Sequence, residues 1–88
     1  MRRVLPTNRY KKSLKLCAKR GYDLRKLERI IDALQARGEA PAQSKPHKLV
    51  GNYAGKWECH IEPDWLLVYN ADDEQVILHD IGTHSDLF

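Results

Sequence analysis

Four histidines, His47, His60, His79 and His84, all fall after residue 46 of this 88-residue chain. No other side chain has an unperturbed pKa so close to neutrality, so clustered imidazoles can take up a proton and deliver it again. His60 closes a segment whose alternation places Lys56, Glu58 and His60 on one face and Trp57, Cys59 and Ile61 on the other, the face assigned to the core. Asp64 follows across Glu62-Pro63-Asp64. An aspartate there can hold an imidazole in one tautomer, act as a base, or simply shape the turn, and spacing alone favours the turn. His84 lies in Gly82-Thr83-His84-Ser85-Asp86, where polar residues line sites and ordinary loops alike. His47 follows Pro46 in a connecting segment and is open to both readings. His79 should face away from Leu78 and Asp80, as a structural or solvent-exposed residue.

Other chemistries find less support. There is no His-x3-His, no Cys-x2-Cys and no carboxylate pair at ligand spacing, so neither a metal nor another cofactor is expected. No glycine-flanked elbow surrounds Ser13, Ser44 or Ser85. Cys17 and Cys59 are far apart in the chain and read as small buried hydrophobes in a reducing compartment. No apolar run follows Arg2 and Arg3, which argues against a signal peptide or a membrane span and for a cytoplasmic protein.

The elements that must position these groups follow from periodicity. A short strand near residues 2–5 comes first. Thr7 or Asn8 then caps a helix to about Arg20, with Tyr10, Leu14, Cys17 and Ala18 on its apolar face and Gly21 as its stop. Asp23 caps a second helix, whose Leu24, Leu27, Ile30, Ile31 and Leu34 recur at helical spacing until Gly38 and Pro41 end it. Residues 40–55 read as a surface-crossing loop, punctuated by Pro41, Pro46, Gly51 and Gly55. Three strands follow, near 56–61, 65–70 and 76–81, joined by links short enough to force antiparallel pairing. Helices followed by strands predict one α+β domain over residues 1–88, an αα-hairpin packed on a small antiparallel β-sheet.

Size and charge limit the function. A chain this short buries only roughly 60% of its unfolded surface, so a shallow cleft against a large ligand suits it better than a deep chamber. Residues 1–50 carry 14 Lys and Arg against 4 Asp and Glu, a balance of +10, while residues 51–88 balance at −7. That asymmetry suggests a polyanionic partner for the first half, although a solvated basic helix face accounts for it as readily.

Two blocks then carry a resemblance. Cys59-His60-Ile61-Glu62-Pro63-Asp64-Trp65-Leu66-Leu67-Val68-Tyr69 and Gly82-Thr83-His84-Ser85-Asp86-Leu87-Phe88 look like the signature of YafQ-type toxins of the RelE/ParE superfamily. His47-Lys48-Leu49-Val50-Gly51 resembles that family's His-x-Leu-x-Gly segment, and the similarity spans essentially the whole chain. The resemblance implies a RelE-like fold and an endoribonuclease that cuts messenger RNA in the A site of the small ribosomal subunit, against ribosomal RNA. It implies His47, His60, Asp64 and His84 as the catalytic set, with Phe88 near the substrate. It also implies an acidic cognate antitoxin as partner, with operator DNA reached only through the antitoxin complex. Many relatives carry an arginine three residues before the central histidine and another four before the terminal one, where this chain has Trp57 and Asp80. Lys45, Lys48 or Lys56 then has to supply the charge for the phosphate, with Arg37 as a further candidate. Two other classes share the fold: a gyrase poison that acts by binding, which needs no histidine set, and an inactive antitoxin-binding co-repressor.

Overall fold

The computed structural model describes all residues 1–88. Strand β1 (Arg3–Pro6) leads into helices α1 (Asn8–Lys19) and α2 (Leu24–Arg37), followed by a two-residue strand β2 (His47–Lys48). Strands β3 (Trp57–Glu62), β4 (Trp65–Ala71) and β5 (Gln75–Gly82) come next, and a single turn of helix, α3 (His84–Leu87), completes the order. Short 3-10 turns at Ala42–Ser44 and Gly51–Tyr53 flank β2.

The hairpin forms for the reasons its sequence gives. The Thr7 side chain accepts the Tyr10 N–H and the Asp23 carboxylate accepts the Arg25 N–H, each satisfying a donor that its helix leaves free. Gly21 and Gly38 adopt φ of +84° and +75°, the left-handed geometry that stops each helix. Tyr10, Cys17, Leu27, Ile30 and Leu34 are buried against the sheet. Burying a leucine as fully as Leu34 is worth about 1.5–3 kcal/mol. Two apolar residues of the hairpin fall off the stripe. Ala18 is exposed and Leu24 partly so, because each lies at the solvent edge of its helix.

The sheet order is β1-β5-β4-β3-β2. Strands β2 to β5 pair antiparallel, as the short links require, but β1 runs parallel to β5, with Arg3 opposite Gln75 and Pro6 opposite Leu78. The sheet is therefore mixed rather than wholly antiparallel. Between β1 and β5 lies nearly the whole chain, so no tight turn dictates their relative direction.

β4 is the central strand. Trp65, Leu66, Leu67, Val68 and Tyr69 are all buried, so both faces of the sheet are covered. On one face, Trp65, Leu67 and Tyr69 join the helices' core, with the Trp65 ring stacked on Tyr22 at 4.6 Å. On the other, Leu66 and Val68 form a second small core with Leu87, flanked by Leu49 and Tyr53. The second core is what the segment after Pro41 builds. Rather than crossing as plain loop, it adds β2 to the sheet edge and lays Tyr53 over the second face.

Candidate active site

The second face carries the histidines. β2 pairs with β3 so that His47 lies opposite Glu58, two residues before His60, and the His47 and His60 ring centres are 6.2 Å apart. His84 opens α3 just beyond β5, and its ring centre is 6.0 Å from that of His60. Three imidazoles from three separate segments thus stand in a row. Asp64 completes the group, accepting the His84 backbone N–H at 2.9 Å and standing 2.6 Å from His84 Nδ1. The backbone bond first, then the side-chain bond, holds the Asp64 carboxyl below the usual carboxylate range. The sequence places Asp64 nearest His60, but the structure gives it to His84, and His60 Nδ1 instead faces the Pro63 carbonyl at 3.3 Å. A proton on Nδ1 for that contact leaves Nε2 of a neutral His60 free to accept one.

α3 exists because Thr83 and Asp86 form a reciprocal cap: the Thr83 hydroxyl accepts the Asp86 N–H and the Asp86 carboxylate accepts the Thr83 N–H. Thr83-x-x-Asp86 is a capping signature legible in the sequence, and it makes a helical turn of a segment whose polar composition reads equally as loop. Arg20, at the end of α1, pairs with Asp86 at 2.6 Å and moors α3 to the hairpin. Its guanidinium, helped by the Thr83 N–H, holds the Asp86 carboxyl down at about 2. At Gly82 a side chain has no room, since a Cβ there would lie 2.8 Å from the Asp86 Cβ.

The remaining expected residues divide. Phe88 is largely exposed beside the site, edge-on to Tyr53 at 5.4 Å, and the Tyr53 hydroxyl donates to the Leu87 carbonyl. Lys45 contributes its backbone: its carbonyl faces His47 Nδ1 at 3.1 Å. Lys48 lies over the Trp57 ring at 5.8 Å, and Trp57 packs against the helix-side core, so Lys48 is engaged away from the imidazoles. Lys56 acts near His79, whose pKa is lowered by burial and, secondarily, by that lysine's charge. His79 stays out of the row, with Nε2 2.8 Å from Asn70 Oδ1.

The two positions where many relatives carry arginine have other duties. Trp57 helps line a concavity of about 550 Å³ beside Arg37, Glu39 and Tyr69, on the helix side and away from the histidines. Asp80 is buried and taken up by α1, bonding Arg9 at 2.8 Å and Ser13 at 2.6 Å. Neither loss removes a charge from the imidazole row.

Glu58 was missed as a site residue. It is only 4% exposed, and its Oε1 lies 3.3 Å from His47 Nε2. The sequence signal was the unbroken apolar run of β4, which requires cover on both faces, including the one that bears Glu58. His47, Glu58 and His60 also place one donor atom each within 4.8 Å of one another. The linear spacing of the chain hides that set, because the fold assembles it from two strands.

Comparisons with known proteins bear on the family and the fold. The family model described as a bacterial toxin of type II toxin–antitoxin systems, YafQ, matches residues 2–88. The mRNA interferase toxin YafQ of Escherichia coli K12 is 36% identical over 83 residues, which is 93% of this chain and 90% of that protein. The toxin in the E. coli DinJ–YafQ toxin–antitoxin complex superposes with a TM-score of 0.88 at 35% identity, covering 99% of this chain and 97% of that one. A metal-bound toxin from Helicobacter pylori superposes with a TM-score of 0.89 at 32% identity over 100% of both chains. The α+β fold, the match over nearly the whole chain and the identity to curated toxins lead to one assignment: the chain belongs to the YafQ family of type II toxin–antitoxin toxins.

Proposed function

We propose that this toxin is a ribosome-dependent endoribonuclease that cuts messenger RNA in the A site by acid–base chemistry at His47, His60, Asp64 and His84. The observation that carries the reading is the row of three imidazoles, 6.2 and 6.0 Å between ring centres, ending in the Asp64–His84 pair. The E. coli relative's name, mRNA interferase, points the same way. His60 takes the proton of the ribose 2′-hydroxyl, and the 2′-oxygen attacks the adjacent phosphorus. A five-coordinate phosphorane forms, the P–O5′ bond breaks, and His84 delivers its proton to the departing 5′-oxygen. One strand then ends in a 2′,3′-cyclic phosphate and the other begins with a 5′-hydroxyl. Each proton transfer is worth roughly 10²–10⁴-fold. Asp64 holds the His84 ring by Nδ1, so that Nε2 is the nitrogen that meets the substrate. His47 supplies positive charge beside the phosphorane.

The openness of the site suits this substrate. His84 and Asp64 side chains are 55% and 67% exposed, as a site that receives a nucleic acid already held by a ribosome must be. The hairpin's exposed Lys11, Lys12, Lys15 and Lys19 offer a basic flank for ribosomal RNA phosphates. Phe88, exposed beside α3, offers a ring on which a base can stack. The partner in the resting cell is a cognate antitoxin, as DinJ is for the E. coli toxin, with operator DNA bound only through that complex. No helix is long and apolar enough to cross a membrane, and the reaction's place is the cytoplasm.

The Helicobacter toxin's bound metal has a fitting donor set here in His47, Glu58 and His60, a mixture of imidazole and carboxylate suited to a late first-row ion. Such an ion would supply Lewis-acid stabilisation of phosphate charge.

The test is cleavage of a message held on purified ribosomes, read by primer extension and end-group analysis. Cuts with 2′,3′-cyclic phosphate ends that persist after the toxin is stripped with EDTA, with free magnesium restored for the ribosome, are expected. His60→Ala and His84→Ala should each slow single-turnover cleavage far more than they weaken ribosome binding. An intact message, together with toxin-dependent breaks in gyrase-bound DNA, would transfer the protein to the binding class of toxin. An intact message and normal growth on induction would make it an inactive co-repressor.

A further inference from the structure

Burial is expensive for a carboxylate, and Glu58 is the one acid on the histidine face that is almost wholly buried. Its Oε2 has no hydrogen-bond partner, and its Oε1 meets only an ion-pair distance of 3.3 Å to His47 Nε2. Across the sheet its register neighbours are His47 on β2 and Val68 on β4, the latter fully buried and apolar. A buried acceptor left without a partner destabilises the fold, and more so if charged, so an apolar residue such as leucine would suit the fold better. Groups that a fold tolerates at such cost concentrate where chemistry needs them.

We infer that Glu58 is a positioning residue of the nuclease, holding the His47 imidazole in the orientation that the phosphate requires. The inference rests on the proposed nuclease reading and adds a residue to it. Geometry separates the two roles an acid can take here. At 4% exposure Glu58 cannot reach a ribose hydroxyl, whereas the His47 side chain is half exposed. Whatever Glu58 contributes must therefore pass through the ring. The other side of that ring is closed by the Lys45 carbonyl at 3.1 Å from Nδ1. Lys45 itself adopts φ of +52°, a left-handed conformation uncommon for a residue with a side chain, and that conformation sets the carbonyl's position ahead of β2. His47 is thus gripped between two acceptors, one from the backbone and one from a buried acid. Ring orientation does not depend on sheet pairing alone, which here amounts to a two-residue edge strand.

The experiment compares Glu58→Gln, His47→Ala and the double variant in the full-length toxin, metal-stripped, on messages programmed into purified ribosomes. Glu58→Gln keeps shape and volume but removes the charge. Expected are a roughly 10- to 100-fold loss of single-turnover rate, part of the 10²–10³ that a lost transition-state donor costs, and unchanged ribosome affinity. The urea midpoint should be equal or higher. The double variant should cleave no more slowly than His47→Ala alone, since Glu58 acts through that ring. The ¹⁵N spectrum of the His47 imidazole should change on Glu58→Gln, which holds whether or not the protein cuts RNA. Wild-type-like cleavage by Glu58→Gln, a fall in midpoint that parallels the activity loss, additive losses in the double variant, or an unmoved His47 spectrum would each overturn the inference. If Glu58→Gln does not fold, Glu58→Asp, which keeps the carboxylate but withdraws it from His47 Nε2, should lower the rate and change the His47 spectrum in its place. Failure of the wild type to cut any message would sink the nuclease reading separately, and the spectrum would still decide the Glu58–His47 contact.

Discussion

Replacing Asp80 with alanine should destabilise the fold sharply and leave the chemistry of the folded protein nearly intact. The carboxylate is 2% exposed and accepts three hydrogen bonds: from Arg9 Nε at 2.8 Å, from Ser13 Oγ at 2.6 Å and from the Ile81 N–H at 2.8 Å. It sits at the irregularity where the β4–β5 register shifts between Val68 and Tyr69, and there the side chain serves a backbone donor. The three bonds carry unequal weight. The Arg9 side chain is 70% exposed and rehydrates freely, so its pair contributes about 0–1 kcal/mol. The buried Ile81 N–H, left without a partner, costs about 1–3 kcal/mol, and the half-buried Ser13 hydroxyl about 1 kcal/mol. The loss should reach about 2–5 kcal/mol against a total near 4–13 kcal/mol for a chain of this size. At about 4–8 °C per kcal/mol for a small domain, the Tm should fall by roughly 10–40 °C. Urea unfolding followed by circular dichroism would measure it, and below the new midpoint single-turnover cleavage should stay within about threefold of wild type. A stability loss under about 1 kcal/mol would refute the three-bond account. Large loss of cleavage in a fully folded variant would instead place Asp80 in the site.

Three further outcomes follow from the same geometry. Gly82→Ala drives a methyl group to within 2.8 Å of the Asp86 side chain, so α3 should shift and carry His84 away from Asp64; cleavage should fall at least tenfold with about 1–3 kcal/mol of stability, and normal cleavage would show that α3 is not needed. Because Asp86 is held at about 2 in the fold against 3.8 for the free group, its contribution to stability is complete above pH 3.8 and is lost as pH falls through 2; Arg20→Ala should flatten the stability–pH curve across that window, and an unchanged curve would exclude the Arg20–Asp86 pair as its source. Burial raises the thiols of both Cys17 and Cys59, the latter to about 12, so a thiol reagent should modify neither until the protein unfolds, and fast labelling of the native state would contradict the packing.

Local rules carried much of this protein. Periodicity, Asp23 and Gly38 are enough to specify α2, because a helix is built from contacts three and four residues apart. The tight links Glu62-Pro63-Asp64 and Ala71-Asp72-Asp73-Glu74 dictate the antiparallel β3–β4–β5 meander. The candidate groups for acid–base work, His47, His60, Asp64 and His84, are legible as residue types and matched blocks. Their internal pairing is not. Asp64 is four residues from His60 and twenty from His84, yet it bonds His84, because α3 turns that ring back over the Pro63 corner. Alternation assigned Glu58 to the non-core face, but β2 and Tyr53 cover that face and bury it. Trp57 and Asp80 looked like charges lost from the site until the fold turned one toward the helix-side core and gave the other to Arg9 and Ser13. The direction of β1 was likewise undetermined, since its partner β5 lies some seventy residues away. In each case the deciding contact joins segments distant in sequence, where no turn length or helical period constrains the outcome, and only the packing of the whole sheet selects which face, which partner and how much water a side chain meets.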